Sequence, residues 1–237
     1  ITFVIALATQ ENMGIAVAGL AALFFFRKQH WKQAIIVGIV GIAYSFIATK
    51  ISATFSPVGY EYLPQLPKNI SDLFLRLFDS EEKRLVWLYS YANMGFIPLF
   101  SFGSLIAVFA DLSQYFVTGP EFSRMWSPFM HHRAILAPFL ILGTIDVLQR
   151  IKIIKVITII SVILLVITIV TQYYFHFPLN KLVKSDYWKE EAWMNDTRTM
   201  LASIPREFSI ATQQNLVPHL SHRNEIYIIY PREHNIT

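Results

Sequence analysis

Long apolar runs separated by short polar stretches constrain this chain more than any other feature of its sequence. A helix that crosses a bilayer needs about 20 mostly apolar residues. Six runs approach or reach this length, and they occupy residues 12–26, 34–55, 85–100, 102–117, 133–148 and 156–175. An isolated span in lipid must satisfy its own backbone hydrogen bonds, as a helix does. The runs therefore predict a mainly α fold, a polytopic transmembrane helix bundle of about six spans, in which 102–117 either crosses or re-enters.

The chain changes character near His176. Charged residues make up 15% of the whole sequence, against about 25% in soluble domains, and the apolar runs all precede this point. We therefore interpret 1–175 as a polytopic transmembrane domain and 176–237 as a small soluble α/β domain. Since 1–7 is apolar from its first residue, we interpret it as the end of an earlier membrane helix and expect upstream helices to be missing.

Periodicity and proline positions outline the smaller elements. In the C-terminal part a helix is predicted over 188–204, a short strand over 208–212, a brief helical turn over 215–221 and a second strand over 226–230. Before the third apolar run, residues 69–78 form an amphipathic segment. This segment fits either an interfacial helix on the membrane surface or a helix packed on the protein itself.

Basic residues predict the orientation in the cell membrane. They cluster between the first and second runs and between the fifth and sixth, at Arg27, Lys28, Lys32, Arg150, Lys152 and Lys155. Cytoplasmic loops carry such an excess of Lys and Arg. The loops 56–84 and 118–132 and the C-terminal domain are then extracytoplasmic. The basic residues form no stripe with interleaved aromatic residues, so the sequence predicts a membrane-lipid partner and no nucleic acid.

Several segments resemble one known family. They are Gln10-Glu11-Asn12 before an apolar helix, Phe96-Ile-Pro-Leu-Phe, His131-His132, Ala137-Pro138, the run from Pro205 to Arg223, and Ile226-Tyr-Ile-Ile-Tyr-Pro. The chain resembles the prokaryotic membrane protein family known as domain of unknown function 2079. The similarity covers nearly the whole chain and only the later part of the family, and its most specific element is Pro218-His-Leu-Ser.

That family is grouped with the multi-spanning glycosyltransferases of the C-type (GT-C) fold, which use polyprenyl-phosphate sugars on the outer membrane face. The resemblance therefore implies a GT-C-like, glycosyltransferase-like protein with a polyprenyl-phosphate-linked sugar as partner, although activity in the family itself is unassigned. The rival interpretations are a non-catalytic membrane transporter or lipid-binding scaffold, and a structural anchor for the C-terminal domain. The chain lacks the first outer loop that holds the key acidic residue of C-type enzymes.

Carboxylates at the outer end of the bundle are the catalytic candidates, because sugar transfer needs a base for the acceptor hydroxyl. Glu11 stands at an outer helix start, where the helix dipole alone also favours a carboxylate. Asp111 lies inside an apolar run, where carboxylates face a bundle interior or a water cavity unless they mark the interface. Asp146 is a weaker candidate, since an ion pair with Arg150 one turn later accounts for it.

Cations before the fifth run are the candidates for substrate binding. Arg124, His131, His132 and Arg133 fit a phosphate headgroup, although an interfacial loop reaching for lipid phosphates would look the same. His219 and Arg223, in the segment most typical of the family, complete the set. His219 and His222 lack a third ligand nearby, so no metal-binding residue is predicted. The sequence does not identify a cofactor, and a divalent metal remains one of the alternatives.

Overall fold

The computed structural model describes residues 5, 7, 10, 12–26, 30–56, 59–60, 65 and 67–229. Nine α-helices, α1 to α9, are described, at Met13–Phe25, Trp31–Phe55, Ile70–Arg76, Glu81–Ala92, Phe102–Phe116, Leu136–Leu148, Ile154–Tyr174, Pro178–Leu182 and Ala192–Ser203. Short 3₁₀ helices lie at Ile97–Phe100, Pro120–Trp126, His131–Ile135, Ser185–Trp188 and Val217–Leu220. Strands β1 and β2 lie at Ile210–Thr212 and Ile226–Ile228. The chain forms two compact units, Ile1–Asn180 and Lys181–Thr237.

Three helical segments of the first unit are long and apolar enough to cross a membrane: Trp31–Phe55, His131–Leu148 and Ile154–Tyr174. Helices α1 and α5 are apolar but have only 13 and 15 residues. At 1.5 Å per residue they are about 20 and 22 Å long, which is less than a hydrocarbon core of about 30 Å. By length and composition, three helical segments of the described residues can span a membrane. The expected total of about six spans stays a prediction.

The apolar run 85–100 is not one helix, so the prediction of a continuous third span is wrong. Helix α4 ends at Ala92, and a turn follows in which Gly95 and Phe96 have φ values of 55° and 58°. Residues with positive φ interrupt a right-handed helix. The 3₁₀ helix Ile97–Phe100 then leads directly into α5. Hydropathy does not show this break, because most residues around it are apolar or aromatic.

Helix α5 forms the centre of the first unit. Its residues Ala107, Val108 and Leu112 are fully buried. Small residues let the neighbouring helices approach closely: a Cβ on Gly103 would lie 2.7 Å from Cα of Leu23 in α1. Such contacts are typical of helix packing in membranes, where dispersion and small side chains replace the hydrophobic effect.

Helices α1 and α2 make a second close contact through glycine. A Cβ on Gly14 would lie 2.0 Å from the carbonyl oxygen of Gly41, and a Cβ on Gly41 would lie 2.4 Å from the carbonyl oxygen of Gly14. At Gly38, one turn earlier in α2, the nearest atom would be 3.9 Å away. The backbones therefore meet at Gly14 and Gly41 and diverge towards Gly38.

Helix α7 is the most exposed element of this unit and buries none of its residues. Polar contacts hold one face of it. The Thr171 hydroxyl donates to the Asn93 side-chain oxygen at 2.7 Å, and the Thr168 hydroxyl donates to the Asn93 carbonyl at 2.8 Å. Most of the rest of its surface is Ile, Val and Leu, which is the composition expected of a helix facing lipid.

The amphipathic segment 69–78 forms α3, and the alternative of a helix packed on the protein is observed for one of its faces. The Asn69 side chain accepts a hydrogen bond from the Asp72 backbone N–H and begins the helix. On one face Leu77 is fully buried and the Phe74 ring lies 5.5 Å from that of Phe109. On the other face Ile70 is 75% exposed. The helix packs on the protein and leaves an apolar edge uncovered.

In the second unit the predicted order of helix, strand, helical turn and strand is observed, with shorter elements than expected. The expected helix 188–204 divides into Ser185–Trp188 and α9. Strands β1 and β2 pair in parallel, with Ile210 opposite Ile226. Residue 230, the last of the expected second strand, lies outside the described residues. Two strands of three residues are too few to establish the α/β class, which stays a prediction. The boundary between the two predicted domains at residue 175 also stays a prediction.

Candidate functional site

A cavity of about 160 Å³ lies at one end of the helix bundle. Three elements meet there: the start of α1, the last turns of α5 and the 3₁₀ helix before α6. The described residues that line the cavity are Gln10, Asn12, Met13, Ala16, Asp111, Tyr115, His131, His132, Ala134 and Ile135. Six of these ten residues are polar or titratable, and they converge from separate parts of the chain, as the polar groups of small ligand sites do.

A hydrogen bond fixes two of the elements that form the cavity. Asn12 stands at the N-cap of α1, but its side chain makes no capping bond. Its amide nitrogen instead donates to the Tyr115 hydroxyl, in the last turn of α5, at 2.7 Å. The Tyr115 ring is buried, so this contact joins two apolar helices through one polar pair.

The carboxylate of Asp111 is the unusual group of the cavity wall. The residue is 2% exposed, and within the described part of the chain its Oδ2 atom has no hydrogen-bond partner. An unpartnered carboxylate oxygen away from water costs free energy, so such groups are rare except where a ligand or water is bound. Asp111 also precedes Tyr115 by four residues, which places both side chains on the same face of α5.

Arg133 is the cation whose charge interacts with that of Asp111. Its guanidinium lies 5.0 Å from the Tyr115 ring and 5.3 Å from the Phe116 ring, within cation–π range. One nitrogen, Nη2, donates to the Met125 carbonyl, and Nε donates to the Ser127 carbonyl at 3.5 Å. Nη1 is buried and has no partner among the described residues. Arg133 therefore holds the loop before α6 against α5.

The rings of Tyr115, His132 and His131 contact one another in series at the cavity, the first pair stacked and the second tilted. The His132 ring lies 5.3 Å from the Tyr115 ring in a stacked arrangement, and the His131 ring lies 4.1 Å from the His132 ring. Their ring nitrogens supply hydrogen-bond donors for an anion when the rings are protonated. The stack is the part of the site that can meet a charged ligand from outside.

Lys83 closes the end of α5 that forms the site. Its side chain is 1% exposed, and its ammonium donates to the Phe116 carbonyl at 3.0 Å and the Arg76 carbonyl at 2.8 Å. It also pairs with Asp79 at 2.7 Å and lies 3.8 Å from the centre of the Trp126 ring. The last carbonyls of a helix lack partners within it, and a cation there is favoured by the dipole. Lys83 provides both a hydrogen-bond donor for the Phe116 carbonyl and a positive charge at the C-terminal end of α5.

The structure brings together only part of the predicted site. Asp111, His131 and His132 line the cavity, and Arg133 stands beside it, held by backbone carbonyls. Arg124 is exposed and does not line it. Glu11 lies outside the described residues. His219 and Arg223 belong to the second unit, where both line a different cavity.

Asp146 lies away from the cavity, among residues at the beginning of α5. Its Oδ2 atom is 2.6 Å from Arg150 and accepts a hydrogen bond from the Ser101 hydroxyl at 2.8 Å. The ion pair that the sequence indicates is confirmed. It gives this carboxylate a structural role in joining α6 to the turn before α5.

Sequence reasoning missed Tyr115 and Lys83. Tyr115 carries one signal, its spacing of four residues from Asp111. Lys83 belongs to the charged run 79–84, which predicts a solvated helix start. Its own signal is the spacing to Val86 and Trp87, three and four residues later, which places the lysine on the apolar face of α4. Both side chains have roles only because distant parts of the chain meet there.

The described residues do not fit a metal centre. No group of three or more His, Asp or Glu side chains within metal-binding reach occurs in the described part of the chain. The two histidines and Asp111 line the same cavity without forming such a group. No step of a mechanism is therefore assigned to a metal.

Comparison with known proteins gives one match. The family model described as "Predicted membrane protein (DUF2079)" matches residues 1–236. No curated protein and no solved structure matches the chain.

Proposed function

The chain belongs to the DUF2079 family of predicted membrane proteins, and on that premise we propose that it transfers a sugar from a polyprenyl-phosphate donor on the extracytoplasmic membrane face. The single observation behind this proposal is Asp111, a carboxylate that is 2% exposed and has an unpartnered oxygen at the wall of a cavity. The resemblance to glycosyltransferases of the C-type fold adds the reaction class.

The size of the cavity favours a headgroup as ligand. Pockets for drug-sized molecules measure about 300–1,000 Å³, and the cavity is about 160 Å³. It fits a sugar or phosphate group, while the prenyl chain of the donor stays in lipid.

In this proposal Asp111 is the general base. The acceptor hydroxyl oxygen forms a bond to the anomeric carbon, and its proton passes to the Asp111 carboxylate. The bond between the anomeric carbon and the phosphate oxygen breaks, and the polyprenyl phosphate leaves with the electron pair. His131 and His132 stand at the mouth of the same cavity and bind the phosphate oxygens through charge-assisted hydrogen bonds.

Arg133 acts as a positioning residue in this account. Backbone carbonyls and two aromatic rings fix its guanidinium, and its charge interacts with the charge of Asp111. The charge of Arg133 favours the ionised form of Asp111, which a base requires, and so opposes the desolvation by burial that favours the protonated form. Glu11 remains a second candidate base on sequence grounds.

Native mass spectrometry tests whether the donor binds. The protein, purified gently from its own membranes, is expected to carry a lipid with the mass of a polyprenyl phosphate or its glycosylated form. His132→Ala is expected to lose it. His30→Ala is the matched control, because His30 is exposed at the N-cap of α2 and makes no capping bond.

The transporter or scaffold interpretation makes the opposite prediction. An intramembrane carboxylate without a partner also occurs in ion and proton pathways. A folded protein without any such lipid, or with equal lipid in the wild type and His132→Ala, would favour a transporter or scaffold and would overturn the proposal.

A further inference from the structure

The second unit contains a basic cavity of about 330 Å³. It lies between α9, the turn after it and the 3₁₀ helix Val217–Leu220. Five basic side chains line it: Arg198, Arg206, His219, His222 and Arg223. The rest of its lining is apolar and comes from Leu201, Ala202, Ile204 and Leu220. No Asp or Glu is among the described residues that line it.

Arg223 organises one wall of this cavity. Its Nη2 atom donates to the Ile204 carbonyl at 2.8 Å, and Nη1 donates to the carbonyls of Pro205 and Phe208, the latter at 3.2 Å. One guanidinium thereby fixes the turn 204–208 after α9. Because carbonyls carry no net charge, the positive charge of Arg223 stays at the wall uncompensated by an acid.

The other cations differ in how they are paired. Arg198 pairs with Glu190 at 2.9 Å, and both side chains are mostly exposed. The side chains of Arg206, His219 and His222 make no hydrogen bond or ion pair with any described residue. Three donors around a concave surface are thus available to a ligand. Their neighbours Leu201 and Leu220 form an apolar floor beneath them.

We propose that this cavity binds a phosphate-bearing anion. Arginine presents a planar fork of N–H donors that matches phosphate oxygens, and such bonds are stronger when both partners are charged. Arg206, His219 and His222 hold the phosphate, while Arg223 fixes the turn that carries Arg206. The apolar floor receives the group esterified to the phosphate. The site belongs to the second unit alone and does not depend on the function proposed for the bundle cavity.

Calorimetric titration of the whole chain in neutral detergent tests this site, with inorganic pyrophosphate as the probe at low salt. Binding at this cavity is expected in the wild type, and it should persist in His132→Ala, which lacks one of the phosphate donors proposed for the bundle cavity. Arg206→Ala and His222→Ala are each expected to weaken the binding about tenfold, the effect of losing one charge-assisted hydrogen bond. Lys184→Ala is the matched control, since Lys184 is an exposed cation of the same unit outside the cavity.

A second titration identifies the source of the phosphate. If short-chain phosphatidic acid binds more tightly than pyrophosphate, the ligand is a lipid headgroup, and the opposite order assigns a soluble phosphate compound. Both orders support the site. The absence of pyrophosphate binding to the wild type would overturn the proposal. An equal loss in Lys184→Ala would also overturn it, because it would show attraction by net charge alone.

Discussion

The amide nitrogen of Asn12 donates a hydrogen bond to the hydroxyl of Tyr115 at 2.7 Å, across 103 residues of sequence. This pair joins the beginning of α1 to the last turn of α5, one turn beyond Asp111. The candidate site is therefore a product of tertiary packing, and no local motif announces it.

Removal of the Tyr115 hydroxyl is expected to loosen this end of the bundle. Tyr115→Phe leaves the ring stacked on His132 but removes the acceptor of the Asn12 amide. An unmade hydrogen bond at a half-buried position costs about 1 kcal/mol. A lower midpoint of thermal unfolding in detergent is expected. Tyr174→Phe, at a tyrosine that is 77% exposed, should leave the midpoint unchanged, and an equal shift in both variants would contradict the account.

Lys83 is expected to be among the most sensitive positions of the first unit. Lys83→Met keeps most of the side-chain volume but leaves the carbonyls of Arg76 and Phe116 without their donor. A buried carbonyl left without its donor costs about 1–3 kcal/mol. The thermal midpoint should fall by several degrees. The control is Arg84→Met, the next residue, whose side chain is exposed. Similar midpoints for the two variants would show that the buried contacts of Lys83 contribute little.

The contact of α1 with α2 predicts opposite effects at two glycines. Gly41→Ala places a Cβ 2.4 Å from the Gly14 carbonyl oxygen, so the helices must separate. Overpacking of this kind costs about 1–3 kcal/mol. Gly38→Ala meets nothing closer than 3.9 Å, and alanine favours the helix by up to about 1 kcal/mol. Unfolding midpoints should fall for Gly41→Ala and hold or rise for Gly38→Ala, and the reverse order would refute the packing.

The orientation is testable because the sequence contains no cysteine. Both Ser203 in α9 and Lys152 before α7 are exposed. If the basic loops are cytoplasmic, a membrane-impermeant maleimide added to intact cells should label Ser203→Cys and spare Lys152→Cys. Labelling of Lys152→Cys alone would show that the orientation is the opposite one and that the candidate site does not lie on the extracytoplasmic face.

Sequence reasoning recovered the elements whose signal is local. The run 156–175 is observed as α7, two residues earlier at its start, because an apolar run of about 20 residues rich in Ile, Val and Leu has the length of a membrane helix. The run 85–100 was wrongly interpreted as one span because its composition is apolar as well. Hydropathy depends only on composition, whereas the break arises from the positive φ angles of Gly95 and Phe96.

The site was predictable in its residue types and not in its geometry. An aspartate inside an apolar helix and a histidine pair before the next helix are visible in sequence. Their convergence with Asn12 and Tyr115 is not, because it depends on how α1, α5 and the 131–135 turn pack. Arg133 shows the difference: it was expected to face a ligand, and its guanidinium is instead held by the carbonyls of Met125 and Ser127.

The central claim is that Asp111 is the base of a sugar transfer in the bundle cavity. Its most direct test adds an extract of membranes that lack this protein, as the source of the acceptor hydroxyl, and follows the bound lipid over time by native mass spectrometry, from glycosylated polyprenyl phosphate to the sugar-free phosphate. Asp111→Asn should keep the lipid bound and slow this conversion about a hundredfold or more, the usual contribution of a general base. Asp146→Asn, at the carboxylate paired with Arg150, should convert it at the wild-type rate. Conversion at the wild-type rate in Asp111→Asn would contradict the claim.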